Sequence, residues 1–545
     1  MFILALLFFI AAFLFFFWGG LRQNLQMLQQ NGYFNDRYTQ WLKKNRSKSA
    51  DYFLLITLAT SMFFKSVMTI EMCLAILGAA LIGLALLPGK RREIKPLVFT
   101  WRVWRLLLTV SLICLAYTIG LSQFYLQDVW WELPFILAIM NWLTGAVVIG
   151  ANMLNHSWET RIAQGFIRDA KRIMAEHPGL KVIGITGSYG KTSTKHLLGQ
   201  ILGLDYEVLV TPESYNTTMG VVRTIRENLT GTHQVFIVEM GAKKRGDIRE
   251  ICDIVKPSMG ILTSIGEMHL ETFLNLQTII RTKYELAEAV GGDGLMFMNY
   301  DNKHIREEAR EQPVVRYGTR CEGSEVSEVA DANYPLDVWA ENILCGPSGS
   351  RFDLCYGDGE VLPCETALLG RHNVVNIVAA AAVAMSMEVK PGDIARQIAR
   401  LEAVPHRLQL LPPGEKYQII DDAFNANPEG AKQALEILGG FPGYRVLITP
   451  GIVELGEQEE EANRTLGAQA AAHCDYLIFV GKSRSVPLVE GAEEAGFDEE
   501  NIFVAQDFHE ALAKADELAY SEERGDGPMT VLLENDLPDS FTEAG

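Results

Sequence analysis

The stretch KVIGITGSYGKTSTK, residues 181–195, decides the fold of the largest part of the chain. Residues 182–185 form an apolar run typical of a buried strand, and a glycine-containing turn follows at residues 187–190. The apolar spacing after Lys191 then predicts a helix. Glycines allow backbone N–H groups to turn inward around an anion, and a helix N-terminus adds partial positive charge. The pattern therefore predicts a phosphate cradle in which Lys191 reaches the β- and γ-phosphates and the Thr192 hydroxyl binds Mg²⁺.

The cradle has the short form TGSYGKT. The general pattern G-x-x-x-x-G-K-[ST] places its first glycine six residues before the lysine, a position that Ile185 occupies here. We therefore expect Gly187, Ser188 and Gly190, together with Ser193 after the lysine, to enclose the phosphates.

The length and charge of the chain limit the classes of function. A chain of 545 residues exceeds one hydrophobic core, so two or three domains are expected. The formal net charge of −19, with no basic block in the polar part, argues against a nucleic-acid partner. Eight cysteines without a C-x-x-C pair argue against a zinc site and favour a reducing compartment.

The first 150 residues differ sharply from the rest because they are rich in long apolar runs. No basic residue precedes residues 2–18 and no cleavage site follows them, which favours a retained membrane helix over a signal peptide. A membrane-spanning helix needs roughly 20 apolar residues. We predict about five transmembrane helices, at residues 2–18, 52–64, 67–87, 104–121 and 134–153.

The charges of the loops predict how these helices cross the membrane. Six Lys and Arg residues lie in residues 19–50 and five in residues 89–102, whereas residues 122–133 have none but contain Trp130 and Trp131. Basic loops face the cytoplasm, so the N-terminus is predicted outside and everything after residue 153 in the cytoplasm. The sequence thus predicts a multi-pass protein of the cell membrane. The alternative, a buried helical bundle, would need amphipathic stripes.

After the membrane region, residues 1–153, the sequence becomes that of an ordinary α/β protein. Residues 154–180 predict an amphipathic connecting helix, about 40 Å long at 1.5 Å per residue. Alternating strand and helix patterns in residues 181–403 predict a P-loop central domain with a parallel, doubly wound sheet, and residues 313–368 predict a small antiparallel sheet on it. Residues 404–545 predict a Rossmann-like C-terminal α/β domain.

Several polar residues stand at predicted strand ends, where an open α/β sheet presents its ligands. Glu239 ends one strand and could hold Mg²⁺. His269 follows the next strand and Lys283 lies on the helix after it, but their spacing alone indicates only structural roles. Judged by local pattern alone, the segments GRHN, PHRLQ and DDAFNANP are typical of turns and helix caps.

Taken together, these segments resemble the Mur ligase family, the ATP-dependent amide ligases of bacterial cell-wall (peptidoglycan) precursor synthesis. The resemblance covers residues 182 to about 484, with the motifs in the family's order, and is greatest to the ligases that add D-alanyl-D-alanine to a UDP-muramoyl tripeptide. The combination of DDAFNANP with GRHN is the specific part. The other motifs are GITGSYGKTSTK, NTTMG (216–220), VEMGA (238–242), HLE (269–271) with TKYEL, and GIVELG.

The resemblance implies a role for each matching residue. Lys191 and Thr192 would bind the phosphates and Mg²⁺, Glu239 and His269 would hold magnesium, and Lys283 would be the family's carbamylated lysine. The residues implied to bind ATP from elsewhere are His372, Asn373, Asn376, Arg407 and Asp421. Those implied to contact the peptide substrate are Asn216, Thr217, Thr218, Gly220, Asn425 and Asn427.

The implied reaction joins a carboxylate to an amine. The substrate carboxylate attacks the γ-phosphorus of ATP to give an acyl phosphate, and an amine then attacks the carbonyl carbon and displaces phosphate. Lys191, Arg407 and Mg²⁺ would disperse the charge of the transferring phosphoryl group.

Two departures from the family leave the acceptor open. Membrane helices stand where the family has a small domain that grips the UDP-sugar, and the chain ends in LLENDLPDSF (532–541) in place of a glycine- and basic-rich turn. The acceptor is therefore a small-molecule or a lipid-linked peptide, or the product is another amino-acid polymer. A different class of function, ATP-driven membrane transport or sensing, would not need the DDAFNANP segment and lacks an ABC-type signature here.

Overall fold

A computed structural model describes the chain in two units by internal contacts, Met1–Gln164 and Gly165–Leu537. The described residues are all those of the chain except 46–47, 60–68, 87–95, 125–128, 213–214, 267–272, 274, 309–312, 321–334, 358, 413, 415, 425, 454, 522–526 and 536–545.

The first unit is helical. Its helices are α1 Phe2–Gln30, α2 Asn35–Lys44, α3 Lys48–Ala59, α4 Ile70–Leu86, α5 Trp101–Phe124, α6 Val129–Trp142 and α7 Thr144–Ala175, of which α7 continues into the second unit. Apolar side chains of α1, α5 and α7 pack into one core, and those of α1, α4 and α6 into another. Each predicted apolar run is thus helical over its described residues, except at Thr69 and Leu143.

Among the described residues, two helices are long and apolar enough to cross a membrane, α1 and residues Trp101–Gly120 of α5. The segments Leu133–Trp142 and Thr144–Ala175, bent by 65° at their junction, would make a third if they form one span. The apolar helices α3 and α4 are shorter, and the end of the predicted second run, residues 60–64, lies outside the described residues. The count of five spans therefore stays a prediction.

The predicted boundary at residue 153 does not coincide with the end of a helix. Helix α7 runs without interruption from Thr144 to Ala175, so the end of the fifth predicted span and most of the connecting helix are one helix. The composition changes from apolar to polar near Asn155, but such a change alters the environment of the side chains and not the backbone hydrogen bonds. The break lies instead at Leu143, between α6 and α7.

The second unit begins with a nine-stranded sheet. Its strands are β1 Lys181–Thr186, β2 Val208–Val210, β3 Val235–Glu239, β4 Met259–Leu262, β5 Leu295–Asn299, β6 Val314–Thr319, β7 Val338–Gly346, β8 Gly349–Tyr356 and β9 Glu360–Thr366. The helices between them are α8 Lys191–Leu202, α9 Thr218–Asn228, α10 Asp247–Val255, α11 Leu276–Lys283, α12 Glu285–Val290, α13 Lys303–Glu307, α14 Arg371–Ser386 and α15 Pro391–Ile398. Hydrophobic cores cover both faces, which explains the continuous apolar runs of β1 and β3.

The strand order of this sheet is β2-β3-β1-β4-β5-β6-β7-β8-β9. Strands β2 to β7 pair in parallel, and β7, β8 and β9 pair antiparallel. The predicted parallel sheet is therefore confirmed, but the antiparallel strands extend the same sheet and do not form a separate small one. The difference arises because β6 pairs in parallel with both β5 and β7, a long-range pairing that local patterns do not specify.

A six-stranded sheet completes the second unit, in the order β10-β11-β15-β12-β13-β14. Its strands are β10 Gln409–Leu410, β11 Gln418–Asp422, β12 Tyr444–Thr449, β13 Tyr476–Val480, β14 Ile502–Ala505 and β15 Met529–Glu534, all parallel except β10. Its helices are α16 Pro428–Gly439, α17 Glu459–His473, α18 Ser485–Glu494 and α19 Phe508–Leu518. This arrangement agrees with the predicted Rossmann-like C-terminal fold.

Candidate active site

The loop between β1 and α8 is held in place by the residues that follow β4. The backbone N–H of Ser188 donates to the carbonyl of Ser264 at 2.8 Å, and the N–H of Tyr189 donates to the Ser264 hydroxyl at 2.7 Å. The Ser188 hydroxyl donates to the carbonyl of Gly266 and accepts from its N–H, both at 3.0 Å. The loop is thus fixed at the carboxyl edge of the sheet, where β1, β3 and β4 end side by side.

Two glycines of the loop are required by their surroundings. A Cβ at Gly187 would lie 2.0 Å from the Thr263 hydroxyl oxygen. Gly190 has a φ of +79°, and a Cβ there would lie 2.7 Å from the side-chain oxygen of Asn376. A side chain at either position would therefore displace the loop or its support, which agrees with a loop that brings its backbone close to a ligand.

The Lys191 ammonium lies over this loop. It donates to the carbonyls of Gly187 at 2.7 Å and Ser188 at 3.0 Å. Burial lowers the pKa of Lys191 to about 8; the carboxylate of Glu239 opposes this shift, and the positive charge of Arg407 adds to it. At neutral pH the lysine is still mostly protonated, as a phosphate-binding cation must be.

Glu239, the last residue of β3, is the centre of the polar contacts at this edge. Its carboxylate accepts from the Thr192 hydroxyl at 3.1 and 3.2 Å and from the Asn216 amide at 3.0 Å. It also forms an ion pair of 3.1 Å with Lys195, and both side chains are fully buried. Burial alone would raise the pKa of Glu239, but the ammonium groups of Lys195 and Lys191 outweigh it and lower the pKa.

Sequence reasoning gave Lys195 no role, although a signal was available. Lys195 stands four residues after Lys191 in a predicted helix, so both lysines lie on one face of α8. The end of β3 pairs with the end of β1, with Ile185 opposite Glu239, and this brings the carboxylate under that face. The ion pair depends on this strand pairing, so the spacing of the two lysines alone does not predict it.

Lys283 is the last residue of α11 and lies buried near the same edge. Burial, and after it the positive charge of Lys191, lower the pKa of Lys283 well below its ordinary value, against the carboxylates of Glu239, Asp247 and Glu285. No described residue forms a hydrogen bond or an ion pair with its amine. A neutral amine is the form that this environment favours.

Arg407 reaches the same centre from the segment that precedes the second sheet. Its guanidinium lies over the Phe424 ring, 4.3 Å from the centroid, and its charge acts on both Lys191 and Glu239. Burial lowers the pKa of Arg407, but an arginine stays charged in proteins. Three cations and one carboxylate of the described chain thus meet beside the phosphate loop: Lys191, Lys195, Arg407 and Glu239.

Comparison with known proteins agrees with this geometry. Residues 185–384 match the family model for the Mur ligase middle domain, and residues 406–527 match that for the Mur ligase, glutamate ligase domain. The UDP-N-acetylmuramoyl-tripeptide--D-alanyl-D-alanine ligase of Escherichia coli K12 is 31% identical over 344 residues, 62% of this chain and 72% of that protein. The chain belongs to the Mur ligase family.

Further matches place the similarity within the family. The Bacillus subtilis ligase of the same name is 27% identical over 316 residues, which are 58% of this chain and 65% of that protein. The crystal structure of MurF from Acinetobacter baumannii superposes with a TM-score of 0.60 at 27% identity, covering 70% of this chain and 78% of that one. As a Mur ligase, the chain is an ATP-dependent acid–amino-acid ligase, and Mur ligases use ATP and Mg²⁺.

The residues present fit a magnesium ion at the phosphate loop of this Mur ligase. Thr192 and Glu239 bring a hydroxyl and a carboxylate within 3.1 Å of each other, and hard oxygen ligands are those that Mg²⁺ prefers. No group of three or more metal-ligating side chains occurs among the described residues. Mg²⁺ in proteins usually takes one or two carboxylate ligands and completes its shell with water and phosphate oxygens. His269, the other predicted ligand, lies outside the described residues.

Two of the residues predicted to face the nucleotide, Asn373 and Asn376, form hydrogen bonds within the protein. Asn376 accepts from the Thr194 hydroxyl of α8 at 3.1 Å and so joins α14 to the phosphate loop helix. The amide of Asn373 donates to the carbonyl of Leu369 at 2.9 Å, and burial lowers the pKa of His372 to about 4. In the described contacts, Asn373 secures the start of its own helix and Asn376 supports the loop.

Asp421 and the residues predicted to bind the peptide are partly engaged with the protein itself. Asp421 accepts a hydrogen bond of 2.7 Å from His406. Thr217 and Asn427 cap the N-termini of α9 and α16. A cap was predicted from the sequence for the segment of Asn427 but not for that of Thr217. Thr218 donates to Glu250 at 2.8 Å.

Asn216 alone of this peptide-binding set contacts Glu239 in the described chain. Gly220 is closely packed, since a Cβ there would lie 3.1 Å from the Tyr215 backbone. Asn425 lies outside the described residues.

Proposed function

We propose that this Mur ligase joins the carboxylate of a muramoyl peptide to the amine of D-alanyl-D-alanine, with hydrolysis of ATP to ADP and phosphate. The observation that carries the proposal is the convergence of Lys191, Thr192, Glu239, Lys283 and Arg407 at one sheet edge. The relatives named above are ligases for this reaction, which supports the same donor and acceptor chemistry here.

These residues have different roles in phosphoryl transfer. Lys191, the N–H groups of the loop and Arg407 bind the phosphates and oppose the negative charge that develops in the transition state. Thr192 and Glu239, with His269, would hold Mg²⁺, which lowers the electrostatic barrier to attack by a carboxylate. Arg407 belongs to the second sheet's domain, so its arrival would also close the site against water, which destroys an acyl phosphate.

Lys283 acts, in this proposal, as a carbamate. Its neutral amine nitrogen attacks the carbon of CO₂, an N–C bond forms as one C=O π bond opens onto its oxygen, and one proton leaves the nitrogen, so a neutral buried amine becomes a carbamate anion. The direction of its pKa shift supports this, because only the unprotonated amine can react. A carboxylate there would help to hold a second Mg²⁺ or to position the acceptor, whereas an ammonium group would oppose the metal.

The domain boundaries remain part of the proposal. We assign ATP binding to residues 181–403 and the closing, Rossmann-like domain to residues 404–545. The matched residues 185–384 and 406–527 lie inside these limits. Residues 1–153 are assigned to a membrane region, which the two long apolar helices support.

A lipid-linked acceptor is the second candidate. The apolar helices favour it, because an enzyme held at the membrane would meet a membrane-bound acceptor at high effective concentration. The ligase part would then lie on the cytoplasmic side, as the loop charges predict.

The test is ADP release by the full-length protein in detergent or in vesicles. ADP should form only when a muramoyl tripeptide and D-alanyl-D-alanine are both present, and the pentapeptide product should be visible by mass spectrometry. Turnover of ATP without either compound would contradict the ligase reaction. Comparison of UDP-linked with lipid-linked muramoyl tripeptide decides between the acceptors.

A further inference from the structure

A polar cavity that is open to solvent lies among α10, α11 and α12. Its volume is about 540 Å³, and it is lined by Arg245, Gly246, Arg249, Arg281, Glu285 and Glu288. The arginines come from the start of α10 and from α11, two helices that pack together with α12. Three guanidinium groups around one cavity stand out in a chain whose net charge is −19.

The acidic groups of the cavity are already engaged. Glu285 accepts from the backbone N–H of Gly246 at 2.7 Å and of Arg249 at 3.0 Å, so its charge caps the start of α10. Glu288 pairs with the Arg249 guanidinium. Arg245 and Arg281 have no hydrogen-bond or ion-pair partner in the part of the chain that the structure describes. The three guanidinium groups and two carboxylates of the lining therefore leave it with a net charge of +1.

Glu285 and the chain after β3 connect the cavity lining to the candidate active site. The loop from Glu239 at the end of β3 leads directly into Arg245 and α10. Glu285 follows Lys283 by two residues, and its carboxylate is one of the groups whose charge acts on the buried amine. An acceptor whose reacting carboxylate lies near Lys283 could therefore place a second anionic group in the cavity.

We propose that Arg245, Arg249 and Arg281 form an anion subsite for a non-reacting oxyanion of the acceptor, a phosphate or a carboxylate. This inference rests on the proposed function. Planar guanidinium forks bind both oxyanions through paired hydrogen bonds. A UDP-linked or lipid-linked muramoyl peptide carries both kinds of group, the diphosphate on the sugar and the free carboxylates of the peptide.

The first experiment compares two double variants of the full-length protein. Arg245→Ala/Arg281→Ala removes the two guanidinium groups that have no ion-pair partner in the described chain. The control, Lys256→Ala/Arg351→Ala, removes two exposed charges of the same unit that pair with Asp253 and Glu365. We expect the KM for the acceptor to rise about tenfold or more in the first variant only, with the KM for ATP unchanged. Arg245→Lys/Arg281→Lys should restore part of the loss. Equal constants in the alanine variant and its control would overturn the subsite.

Two modified acceptors identify the anion. If the diphosphate binds, the increase in KM of the alanine variant disappears with a muramoyl tripeptide that lacks the diphosphate. If a carboxylate binds, the increase disappears with an acceptor whose non-reacting carboxylates are amidated. An equal increase in KM with every acceptor would contradict the proposal. Unchanged kinetics combined with weaker binding to vesicles of anionic lipid would also contradict it, because the arginines would then contact the membrane.

A binding measurement separates this inference from the ligase assignment. With Mg²⁺ and a non-hydrolysable ATP analogue filling the phosphate cradle, inorganic pyrophosphate and tricarballylate are titrated into wild-type and variant protein by calorimetry. Wild type should bind one of them about tenfold more tightly than Arg245→Ala/Arg281→Ala. This result would support an anion site even if no acceptor is turned over, whereas turnover of the acceptor with no difference in binding or KM would refute only the subsite.

Discussion

The two sheets of the second unit, which contains the ligase domains and is called the ligase unit below, both have carboxyl groups at strand ends. The charges of these groups differ. In the nine-stranded sheet, Glu239 ends β3 beside two lysines, and its pKa is lowered. In the six-stranded sheet, Asp422 and Glu534 end neighbouring parallel strands as direct Cα partners. Burial raises the pKa of both, and one guanidinium, that of Arg407, opposes the shift for two carboxyl groups.

The comparison shows that the number of cations, and not burial, decides the protonation of a strand-end carboxyl group. Burial favours the neutral acid at both edges. Lys195 and Lys191 overcome it at Glu239, so a carboxylate remains available near the phosphates. At the other edge Asp422 raises the pKa of Glu534, whereas the hydrogen bond between them lowers the pKa of Asp422. One oxygen of Glu534 has no partner among the described residues.

The two edges therefore predict opposite effects of pH on stability. The folded pKa of Glu239 lies below its ordinary value, so its stabilisation is present above pH 4.5 and is lost as the pH falls through the folded pKa. Asp422 and Glu534 have folded pKa values above their ordinary values of 3.8 and 4.5. The folded state then binds more protons, and stability falls as the pH rises from those values through the folded pKa.

The largest effect is expected from Lys195→Met. This change leaves the buried Glu239 carboxylate without its ion-pair partner and should destabilise the ligase unit by about 3–5 kcal/mol. Thermal unfolding of the full chain in detergent measures it as a lowered midpoint for the ligase unit. The double variant Lys195→Met/Glu239→Gln should recover part of the loss, because no uncompensated charge remains. A midpoint unchanged in the single variant would show that the pair does not set the charge of this edge.

Lys191→Ala tests the second cation of the same edge. Removal of this phosphate-binding charge should lower kcat by about 10²–10³-fold while the protein stays folded. In wild type, kcat/KM for ATP should decrease as the pH rises above about 8, because the ammonium group then loses its proton. Rates measured from pH 6 to 9.5 check both statements. If the variant turned over ATP at the wild-type rate, Lys191 would have no part in binding the phosphates during the reaction.

Lys283→Ala tests whether this edge carries a further anion. If the lysine is a carbamate, the variant should lose about 10²-fold in rate and regain part of it with acetate or formate, which replace the missing carboxylate. Lys283→Arg is the matched control, because it keeps a cation and should not be rescued. Mass spectrometry of native protein under bicarbonate should show the added mass of CO₂. Full activity of the alanine variant would contradict the carbamate.

The smallest effect is expected at the other edge, from Glu534→Gln. The amide keeps the shape of the side chain, can donate to Asp422, and cannot ionise. We expect equal stability at pH 5 and a gain of about 1 kcal/mol over wild type at pH 9, because one buried charge is removed. Thermal midpoints of both proteins across this range measure the gain. Parallel pH curves would show that Asp422 and Glu534 do not compete for one cation.

Local patterns were sufficient for much of the fold. The apolar runs 235–239, 295–299 and 476–480, each followed by turn residues, coincide with the observed strands β3, β5 and β13. The two-residue strand β10 and the three-residue strand β2 were missed, since segments this short carry no period. The continuity of α7 through Met153 was also missed, because hydropathy describes the environment of a helix and not where its backbone ends.

The phosphate loop, with Lys191 and Thr192 at the start of α8, could be predicted from the sequence alone, because a strand, two required glycines and a helix start are all local features. Lys283 and Arg407 were assigned to the site by family resemblance and not by spacing. The pairing of Lys195 with Glu239, and of Asp422 with Glu534, became visible only in the folded structure. These pairs depend on strand register between segments 44 and 112 residues apart, and the protonation of each carboxyl group follows from the cations that the register brings to it.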